Sequence, residues 1–240
     1  MRHSAIYNIL YKLLNYIYPQ YFTELILTEL VIFRTRLSKK TTRRRFIGQE
    51  ELLVNIGAGS AGKNGWINMD AINNNKINCL WDCRKNLPFG DNSVKAIFTE
   101  HFIEHLDYDV EIPLLFSDMY RVIKPGGIIR IIVPDAEKYM RAYLQSGWNE
   151  LEKVRPLIDN HVDYYSKKTM NTKMELVNFV FRQDYQHKFA YDFETLKYKL
   201  AEAGFKKIVQ QNFNQSLNPE LIIDTPERAS ESLYVEAVRE

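Results

Sequence analysis

The sequence has little cysteine, no long apolar run and almost no net charge, and each of these shortages excludes a class of protein. With Cys79 and Cys83 as its only cysteines, the chain of 240 residues is not a disulfide-stapled secreted domain. No uninterrupted apolar run approaches the roughly 20 residues that a bilayer-spanning helix needs. A formal net charge of +2 is not a nucleic-acid signature. We therefore expect a cytoplasmic protein without a signal peptide and without a nucleic-acid partner.

The spacing of the two cysteines, C-x₃-C, gives little indication of a metal centre. A structural zinc site normally has four ligands, and no second Cys/His pair stands beside Cys79 and Cys83. We interpret both residues as reduced thiols near the end of a strand. The sequence therefore leads us to expect no metal site.

The chain begins with a segment whose apolar residues follow a helical period. They form a single stripe, made of Ile6, Ile9, Leu10, Leu13, Leu14 and Ile17. Pro19 ends this first helix, and a second is predicted from position 20 to about position 37. We divide the chain into an N-terminal helical cover, residues 1–48, and a main domain, residues 49–240.

A basic stretch without any acid follows the helices. Its members are Arg34, Arg36, Lys39, Lys40, Arg43, Arg44 and Arg45. One interpretation is a solvated face. The other is peripheral contact of residues 34–45 with an anionic membrane surface or a lipid-linked phosphate.

From position 52 onwards, short apolar runs alternate with helical segments. Strands are predicted over 52–56, 66–69, 77–80, 94–99, 128–133, 206–211 and 233–238, and helices over 109–123 and 192–203. Residues 135–190 are expected to be a mostly helical insertion that holds the acceptor site. This alternation implies a largely parallel sheet covered on both faces, with ligands at the carboxyl ends of its strands.

Three successive strand ends carry residues suited to a nucleotide-like cofactor. The first strand ends in the turn Gly57-Ala58-Gly59, which lets a ligand approach the backbone, although any tight turn uses glycine. Asp70 ends the next strand, where an acid accepts hydrogen bonds from ribose hydroxyls or merely caps a turn. Asp82 ends the third, where its carboxylate and the backbone of Cys83 are placed to hold an adenine amino group.

Together with later motifs, these residues resemble the class I S-adenosylmethionine-dependent methyltransferases, in particular a small bacterial group that often accompanies surface-polysaccharide pathways. The motifs are Asn55-Ile56-Gly57, Gly65-Trp66-Ile67-Asn68, Asp70, Leu87-Pro88-Phe89-Gly90-Asp91-Asn92-Ser93, Glu100-His101, Glu104-His105-Leu106 and Val122-Ile123-Lys124-Pro125-Gly126-Gly127. The run that contains them, 52–134, is about a third of the chain. The resemblance implies an α/β fold: a Rossmann-like, doubly wound, mostly parallel sheet of seven strands with an antiparallel last strand.

The resemblance also implies a cofactor, S-adenosylmethionine, with S-adenosylhomocysteine as its product, and a set of binding residues. That set is Asn55, Gly57, Gly59, Asp70, Asp82, Cys83, Glu100 and His101. The two glycines would lie beneath the methionine and ribose, and Glu100 and His101 would flank the sulfonium. Asn55 stands where the family usually has an acid, and it still bonds the methionine amino group without adding charge.

The span between the glycine turn and the ribose-binding acid is unusually short. Only ten residues separate Gly59 from Asp70, whereas a helical crossover takes about a dozen or more. The helix that usually covers this face of the sheet must therefore be missing or reduced. We expect the N-terminal helices to replace it, with the stripe from Ile6 to Ile17 as the cover.

Methyl transfer from a sulfonium is an in-line displacement, so the enzyme mainly positions a nucleophile, and a hydroxyl acceptor also benefits from a base. The candidate bases are His187, His105 and Asp135, with His101 as a further possibility. His187 is preferred because it lies in the segment His-Lys-Phe-Ala-Tyr-Asp, just before a predicted helix. The structural alternatives are that His105 packs against Glu104 and that Asp135 caps the next helix.

The leading functional hypothesis is O-methylation of a sugar or glycan-related hydroxyl. The aromatic residues of the 135–190 insertion favour a small aromatic or lipid-like acceptor as an alternative, although such residues more often form core. Arg228 is a candidate for binding an anionic acceptor, with a surface salt bridge as its alternative role. A cofactor-binding or membrane-associated scaffold without catalysis is the third hypothesis.

Overall fold

The computed structural model describes residues 5–240, apart from the side chains at positions 5–7, 20, 21, 24, 34 and 36. The helices in this range are α1 (Ala5–Ile17), α2 (Gln20–Arg45), α3 (Glu111–Val122), α4 (Ala136–Leu144), α5 (Asn149–Val154), α6 (Lys173–Arg182) and α7 (Phe193–Glu202). The strands are β1 (Leu52–Ile56), β2 (Ile67–Asp70), β3 (Cys79–Leu80), β4 (Val94–Glu100), β5 (Ile123–Pro134), β6 (Leu157–Ile158), β7 (Val162–Asp163), β8 (Lys207–Gln211) and β9 (Ser232–Val238).

The main sheet has the order β3-β2-β1-β4-β5-β9-β8 within the described range. Strands β1 to β5 are parallel, and β9 runs antiparallel to both of its neighbours. The chain builds one half of the sheet from β1 outwards and then starts again at β4 beside it. The predicted doubly wound fold with an antiparallel last strand is confirmed, and its topological switch point lies between β1 and β4.

One face of the sheet is covered by α3 and α7. Alternate residues of β1, β4 and β5, such as Val54, Ile97 and Ile131, point to this face and are fully buried. Phe116 of α3 and Leu196 of α7 pack against them. Each such side chain contributes about 1.5–3 kcal/mol to stability, so this layer carries much of the core.

The opposite face lacks a helix between β1 and β2, as the short span predicts. Residues 57–66 form turns instead. The face is covered by Trp66 and by a segment that we call the cover segment, residues 212–225. Phe213 and Leu221 of the cover segment pack with Phe98 of β4 and Tyr234 of β9.

Arg130 of β5 ties the cover segment to this face. Its guanidinium is fully buried and donates to Asp224 at 2.8 and 2.6 Å and to Glu236 of β9 at 2.9 Å. A buried cation is tolerated only where its charge is matched and its donors are used. The ion cluster therefore fixes the position of the segment that replaces the helix.

The expectation that the N-terminal stripe covers this face is wrong. Ile9, Leu13 and Ile17 are each more than half exposed, and the contacts of α1 are chiefly with α2. The side chain of Ile6 lies outside the described residues. The physical reason is that the cover segment already fills the space, so α1 has no apolar sheet face left to cover.

Helix α2 packs at the β3 edge of the sheet instead. Leu27 and Ile32 are buried there, and Glu29 pairs with Arg84 just after β3. The helix continues to Arg45, beyond its predicted end near position 37, because the basic residues are good helix formers and no breaker interrupts them. The boundary between residues 48 and 49 stays a prediction.

The 135–190 insertion is less helical than expected, since β6 and β7 form a short hairpin between α5 and α6. Five of its aromatic residues form a second small core with buried aliphatic neighbours, whereas Tyr164 and Tyr185 are exposed. The members of that core include Tyr139, Tyr143, Trp148, Phe179 and Phe181. Among residues 5–240, no helix combines the length and the apolar character that crossing a membrane requires.

Candidate functional site

The turn after β1 is built on two glycines in the left-handed region. Gly57 has φ +70° and Gly59 has φ +49°, conformations that cost other residues free energy. A Cβ atom at Gly57 would lie 2.0 Å from the ring of Phe102. At Gly59, no described atom lies within 4 Å of the same point, so this side of the turn is open to a ligand.

Asp70 holds the turn and keeps capacity for a further ligand. Its Oδ2 accepts a hydrogen bond from the Gly59 N–H at 2.9 Å, and its Oδ1 accepts one from the Ile72 N–H at 2.8 Å. Each carboxylate oxygen has two lone pairs, and Asp70 is only half-buried. Asp70 therefore caps the turn, and each of its carboxylate oxygens keeps one lone pair for a ribose hydroxyl.

Asp82 is engaged more fully. Its buried carboxylate accepts from Arg84 Nε at 2.9 Å, from Arg84 Nη2 at 3.0 Å and from the Arg84 N–H at 3.1 Å. Arg84 also pairs with Glu29 of α2, so Asp82 helps to lock α2 onto the sheet edge. The predicted adenine contact stays a prediction, and Arg84 competes for the oxygens that it needs.

A cavity of about 310 Å³ lies beside Asp82, between α2 and the segment after β3. It is lined by Thr35, Lys39, Trp81, Asp82 and Lys85. The indole Nε1–H of Trp81 is buried without an acceptor among the described residues, which is unfavourable unless a ligand or water supplies one. Sequence reasoning missed Trp81, although its place next to Asp82 at a strand end was the available signal.

Cys83 and Asn55 lie inside the domain. Burial, reinforced by Asp70 and Asp82, raises the pKa of the Cys83 thiol well above its ordinary value, so the thiol is neutral. The Asn55 amide donates to Asn68 Oδ1 at 3.0 Å and ties β1 to β2. The predicted cofactor contacts of both residues remain predictions.

Glu100 ends β4 and binds the cover segment. Its carboxylate accepts from the Thr225 N–H at 2.8 Å and from the Thr225 hydroxyl, and Lys63 Nζ lies 3.8 Å away. Glu100 therefore anchors the segment that closes one side of the site. Its predicted place beside the sulfonium stays a prediction.

The structure brings three of the predicted site histidines together around Glu104, and we call these four residues the Glu104 cluster. His101 Nδ1 lies 3.6 Å and His187 Nε2 lies 3.9 Å from Glu104 Oε1. The rings of His105 and His187 meet edge to face, with centroids 4.7 Å apart. The expectation that His105 packs near Glu104 thus describes one part of a larger group.

Backbone contacts position this cluster. A single 3₁₀ turn, Ile103–His105, follows β4 and carries Glu104 and His105. The N–H groups of Lys188 and Phe189 donate to the Glu104 carbonyl at 2.7 and 3.3 Å. These bonds bring the loop of His187 to the carboxyl end of β4.

Glu104 is the residue of this cluster that sequence reasoning did not assign to the site. It is 2% exposed, and neither carboxylate oxygen has a hydrogen-bond partner among the described residues. Burial alone would raise its pKa, but His101, His105 and His187 outweigh that effect and hold the pKa below its ordinary value. Burial lowers the pKa of His187 to about 4, so its imidazole is neutral at pH 7.

Asp135 and Arg228 occupy structural positions. Asp135 caps α4, since its Oδ1 accepts from the N–H groups of Glu137 at 3.0 Å and Lys138 at 3.3 Å. Burial raises the pKa of Asp135. Arg228 donates to Glu231 at 2.6 Å, which is a salt bridge as expected for its alternative role, but Glu231 is buried and the pair is not a surface one.

A second cavity, of about 560 Å³, lies beside α4 and α5. Polar and charged side chains line most of it: Lys138, Arg141, Gln145, Glu150, Lys153 and Ser230, with Ala142 and Val154. Lys138 Nζ donates to the Ser232 carbonyl at 2.6 Å, at the start of β9 and therefore beside the carboxyl end of β5. Its polar and charged groups offer hydrogen bonds to a ligand, while the aliphatic parts of its side chains line it with apolar surface.

A doubly wound sheet with a glycine turn after β1 and an acid at the end of β2 defines a Rossmann-like, cofactor-binding protein. Residues 68–131, from β2 into β5, match the family described as the methyltransferase domain. No curated protein sequence matches the chain. With the sheet order, the domain match over residues 68–131 supports the predicted S-adenosylmethionine-dependent methyltransferase with S-adenosylmethionine as its cofactor.

Solved structures with a similar fold include two archaeal or bacterial methyltransferases. One is from Thermotoga maritima and is described as a possible histamine N-methyltransferase. It is 17% identical, with a TM-score of 0.47, and the alignment covers 98% of this chain and 99% of that one. The other, from Archaeoglobus fulgidus, has 21% identity and a TM-score of 0.47 over 85% of this chain and 94% of that one. A phosphoethanolamine N-methyltransferase of Haemonchus contortus, bound to S-adenosylhomocysteine, is 15% identical with a TM-score of 0.44. The alignment covers 84% of this chain and 52% of that one.

Proposed function

We propose that this methyltransferase acts on a hydroxyl of a sugar or glycan-related acceptor, and that the hydroxyl binds at the Glu104 cluster. The observation that carries the proposal is a set of proton-accepting groups, three imidazoles and a carboxylate, directly after β4. Phe102, which lies in the chain between His101 and Glu104 of this cluster, contacts Gly57 of the cofactor turn. A hydroxyl that takes up a methyl group must lose its proton, so it needs such a group nearby.

The cofactor supplies a methyl group already activated on a sulfonium, and the chain's own residues position the reactants. Gly57, Gly59 and Asp70 are proposed to hold the methionine and ribose portions, because the turn is open at Gly59 and Asp70 keeps free lone pairs. Trp81 is proposed to join Asp82 and Cys83 at the adenine end, since its indole N–H lacks an acceptor.

Within the cluster, the proton-accepting role is proposed for the group rather than for His187 alone. His187 Nδ1 bonds the Val180 carbonyl at 2.6 Å, which leaves only Nε2 to take a proton. With a pKa near 4, His187 by itself is a weak base at neutral pH. Glu104 supports a positive charge that develops on any of the three rings.

A polar acceptor is favoured over an aromatic one by two features of the insertion. Five of its aromatic residues pack together as a small core instead of forming a substrate wall: Tyr139, Tyr143, Trp148, Phe179 and Phe181. The cavity beside α4 and α5 is lined by Lys138, Arg141 and other polar groups, which suit hydroxyls or an acidic group. A glycan-related acceptor matches these walls.

The test is an acceptor screen with purified full-length protein and S-adenosylmethionine, read by release of S-adenosylhomocysteine. One panel holds sugars, sugar nucleotides and lipid-linked glycans, and the other holds phenols and amines. We expect turnover only with the first panel. Turnover confined to phenols or amines would contradict the proposal, and cofactor binding without any turnover would favour the scaffold hypothesis.

Peripheral contact with an anionic membrane is proposed chiefly for α1. Ile9, Leu13 and Ile17 repeat every four residues and are exposed, which gives one apolar face. The basic run contributes less, because part of it serves the domain itself. Arg43 lies over the Trp81 ring, for example, with 5.6 Å from its Cζ atom to the ring centroid.

A further inference from the structure

The Glu104 cluster contains more acceptors than donors. Glu104 is buried, and neither of its oxygens has a hydrogen-bond partner among the described residues. The nitrogen atoms within 4 Å of its carboxylate there are those of the His101 and His187 imidazoles. A buried carboxylate in such surroundings is strongly unfavourable unless a cation or a donor faces it.

The hydrogen bonds of two imidazoles fix where their protons are. His187 Nδ1 lies 2.6 Å from the Val180 carbonyl, and His105 Nδ1 lies 3.1 Å from the Gln186 carbonyl. A carbonyl oxygen only accepts, so each Nδ1 carries the proton. In the neutral rings each Nε2 then has a free lone pair, and that of His187 lies 3.9 Å from Glu104 Oε1.

His101 follows the same logic through a serine. The Ser232 hydroxyl donates to the Arg228 carbonyl at 2.7 Å, so its oxygen can only accept from His101 Nε2 at 2.9 Å. The proton of the neutral His101 ring is therefore on Nε2, and its Nδ1 lone pair faces Glu104 at 3.6 Å. In these neutral tautomers, lone pairs of imidazole nitrogens face a carboxylate, so either a second proton on an imidazole or a bound cation must lie between them.

We propose that Glu104, His105 and His187 bind a divalent transition-metal ion, with His101 as an additional ligand or a close neighbour. One ligand atom from each of the three lies within 4.8 Å of the others. Two ligands of a tetrahedral Zn²⁺ at about 2.1 Å lie about 3.4 Å apart, so the His187–Glu104 pair at 3.9 Å needs a contraction of about 0.5 Å and a pair at the 4.8 Å bound about 1.4 Å.

The chemistry of the ligands selects the class of ion. Two imidazoles and one carboxylate suit Zn²⁺, Co²⁺ or Fe²⁺, whereas Mg²⁺ and Ca²⁺ prefer all-oxygen sites. The bonds from His105 and His187 to backbone carbonyls are the arrangement that orients metal-binding imidazoles. The expectation of no metal site rested on the cysteine pair alone, whereas His187 reaches this cluster only through the fold.

The role of such an ion rests on the proposed function. Three protein ligands leave a coordination position open, and an acceptor hydroxyl bound there would lose its proton more easily. The imidazole nitrogens and the Glu104 carboxylate would then be ligands instead of proton acceptors, the metal would lower the hydroxyl pKa, and the released proton would pass to solvent water. Binding of the ion itself is independent of methyl transfer, so it is tested separately.

The experiment uses the full-length protein, freed of metal with a chelator and titrated with CoCl₂. We expect one equivalent of Co²⁺ with visible d–d absorption, and displacement of it by ZnCl₂ measured by calorimetry. Glu104→Gln keeps the size of the side chain but removes the anionic ligand, and His105→Gln removes an imidazole. Each is expected to weaken Co²⁺ binding by about 100-fold or more.

The matched control is His161→Gln, because His161 stacks on Trp148 outside the cluster. Its Co²⁺ affinity should equal that of the wild type, and circular dichroism should show all variants folded. Two results would overturn the proposal: a wild type that takes up no Co²⁺, or substituted proteins that bind it as the wild type does. Loss of the ion in Cys79→Ser would assign it to the thiols and would also overturn the proposal.

The same proteins are titrated with S-adenosylhomocysteine to separate the two proposals. Glu104→Gln should bind it with unchanged affinity, because the cofactor turn does not depend on the metal ligands. A wild type that binds Co²⁺ but no S-adenosylhomocysteine would refute the assigned function and leave the metal site standing. A wild type that binds S-adenosylhomocysteine but no Co²⁺ would refute only the metal site.

Discussion

Single residues at the ends of β1 and β2 combine a structural bond with capacity for a ligand. Asp70 accepts backbone N–H groups from Gly59 and Ile72 and still has lone pairs free. The absence of a Cβ atom at Gly57 leaves room for the Phe102 ring beside the turn. A substitution at Asp70 therefore tests ligand binding, and a substitution at Gly57 tests the stability of the fold.

Asp70→Asn should weaken binding of S-adenosylhomocysteine by about 10- to 100-fold. The reason is the loss of one or two charge-assisted hydrogen bonds to the ribose, each contributing about 1.5–3 kcal/mol. Ligand-dependent shifts of the melting temperature measure the change. The control is Asp109→Asn on the exposed surface, which should bind as the wild type does; equal losses in both variants would remove Asp70 from the site.

Gly57→Ala should destabilise the fold more than Gly126→Ala. Both glycines have φ near +70°, which costs a residue with a Cβ about 1–2 kcal/mol. Only at Gly57 does the new atom also meet a ring, that of Phe102 at 2.0 Å, whereas no described atom lies near Gly126. Urea unfolding measures the difference, and equal losses would show that Phe102 moves aside freely.

At the scale of elements, one face of the sheet is closed by the cover segment instead of a helix. The link that holds the segment is the buried cluster of Arg130, Asp224 and Glu236. Helix α1, in contrast, contributes no apolar contact to the sheet among its described side chains. The two segments should therefore respond very differently to change.

Asp224→Ala should lower the free energy of unfolding by about 3–5 kcal/mol, because it leaves Arg130 buried with only part of its charge matched. Glu220→Ala in the same segment breaks an exposed pair with Lys95, for which a loss of about 0–1 kcal/mol is expected. Urea unfolding of both variants checks the contrast. Similar small losses would mean that the segment is dispensable for the core.

Removing residues 2–18 should leave the melting temperature within a few degrees of the wild type and reduce binding to anionic vesicles. The stability is expected to hold because Ile9, Leu13 and Ile17 lie exposed and bury little area. Thermal unfolding and vesicle flotation make the two measurements. If the truncated protein is unfolded, α1 has the cover role that the sequence predicted. If the truncated protein floats with the vesicles as the wild type does, α1 does not bind the membrane.

The elements with a local signal were predictable from the sequence, and those made by distant contacts were not. Capping of α7 by Asp192, through the Thr195 N–H, and the absence of a helix after Gly59 both follow from neighbouring residues. The pairing of Arg130 with Asp224 joins positions 94 apart, and no local pattern marks it. The exposure of α1 was missed because an apolar stripe predicts an amphipathic helix without saying what it packs against.

On the scale of the whole molecule, the cofactor side and the acceptor side of the site are built from different parts of the chain. The glycine turn and Asp70 lie in or next to the matched methyltransferase domain, on the part of the sheet that the sequence predicted well. The acceptor side joins Glu104 to the loop of His187 from outside that domain match. Sequence reasoning named its histidines but not Glu104, because the carboxylate's lack of partners appears only in the fold.

Binding of S-adenosylmethionine by this sheet and its glycine turn is measured by calorimetric titration of the full-length protein with S-adenosylhomocysteine. We predict one equivalent bound per chain, with affinity reduced in Asp70→Asn and unchanged in Asp109→Asn. A folded wild-type protein that shows no binding heat at millimolar ligand would contradict this prediction.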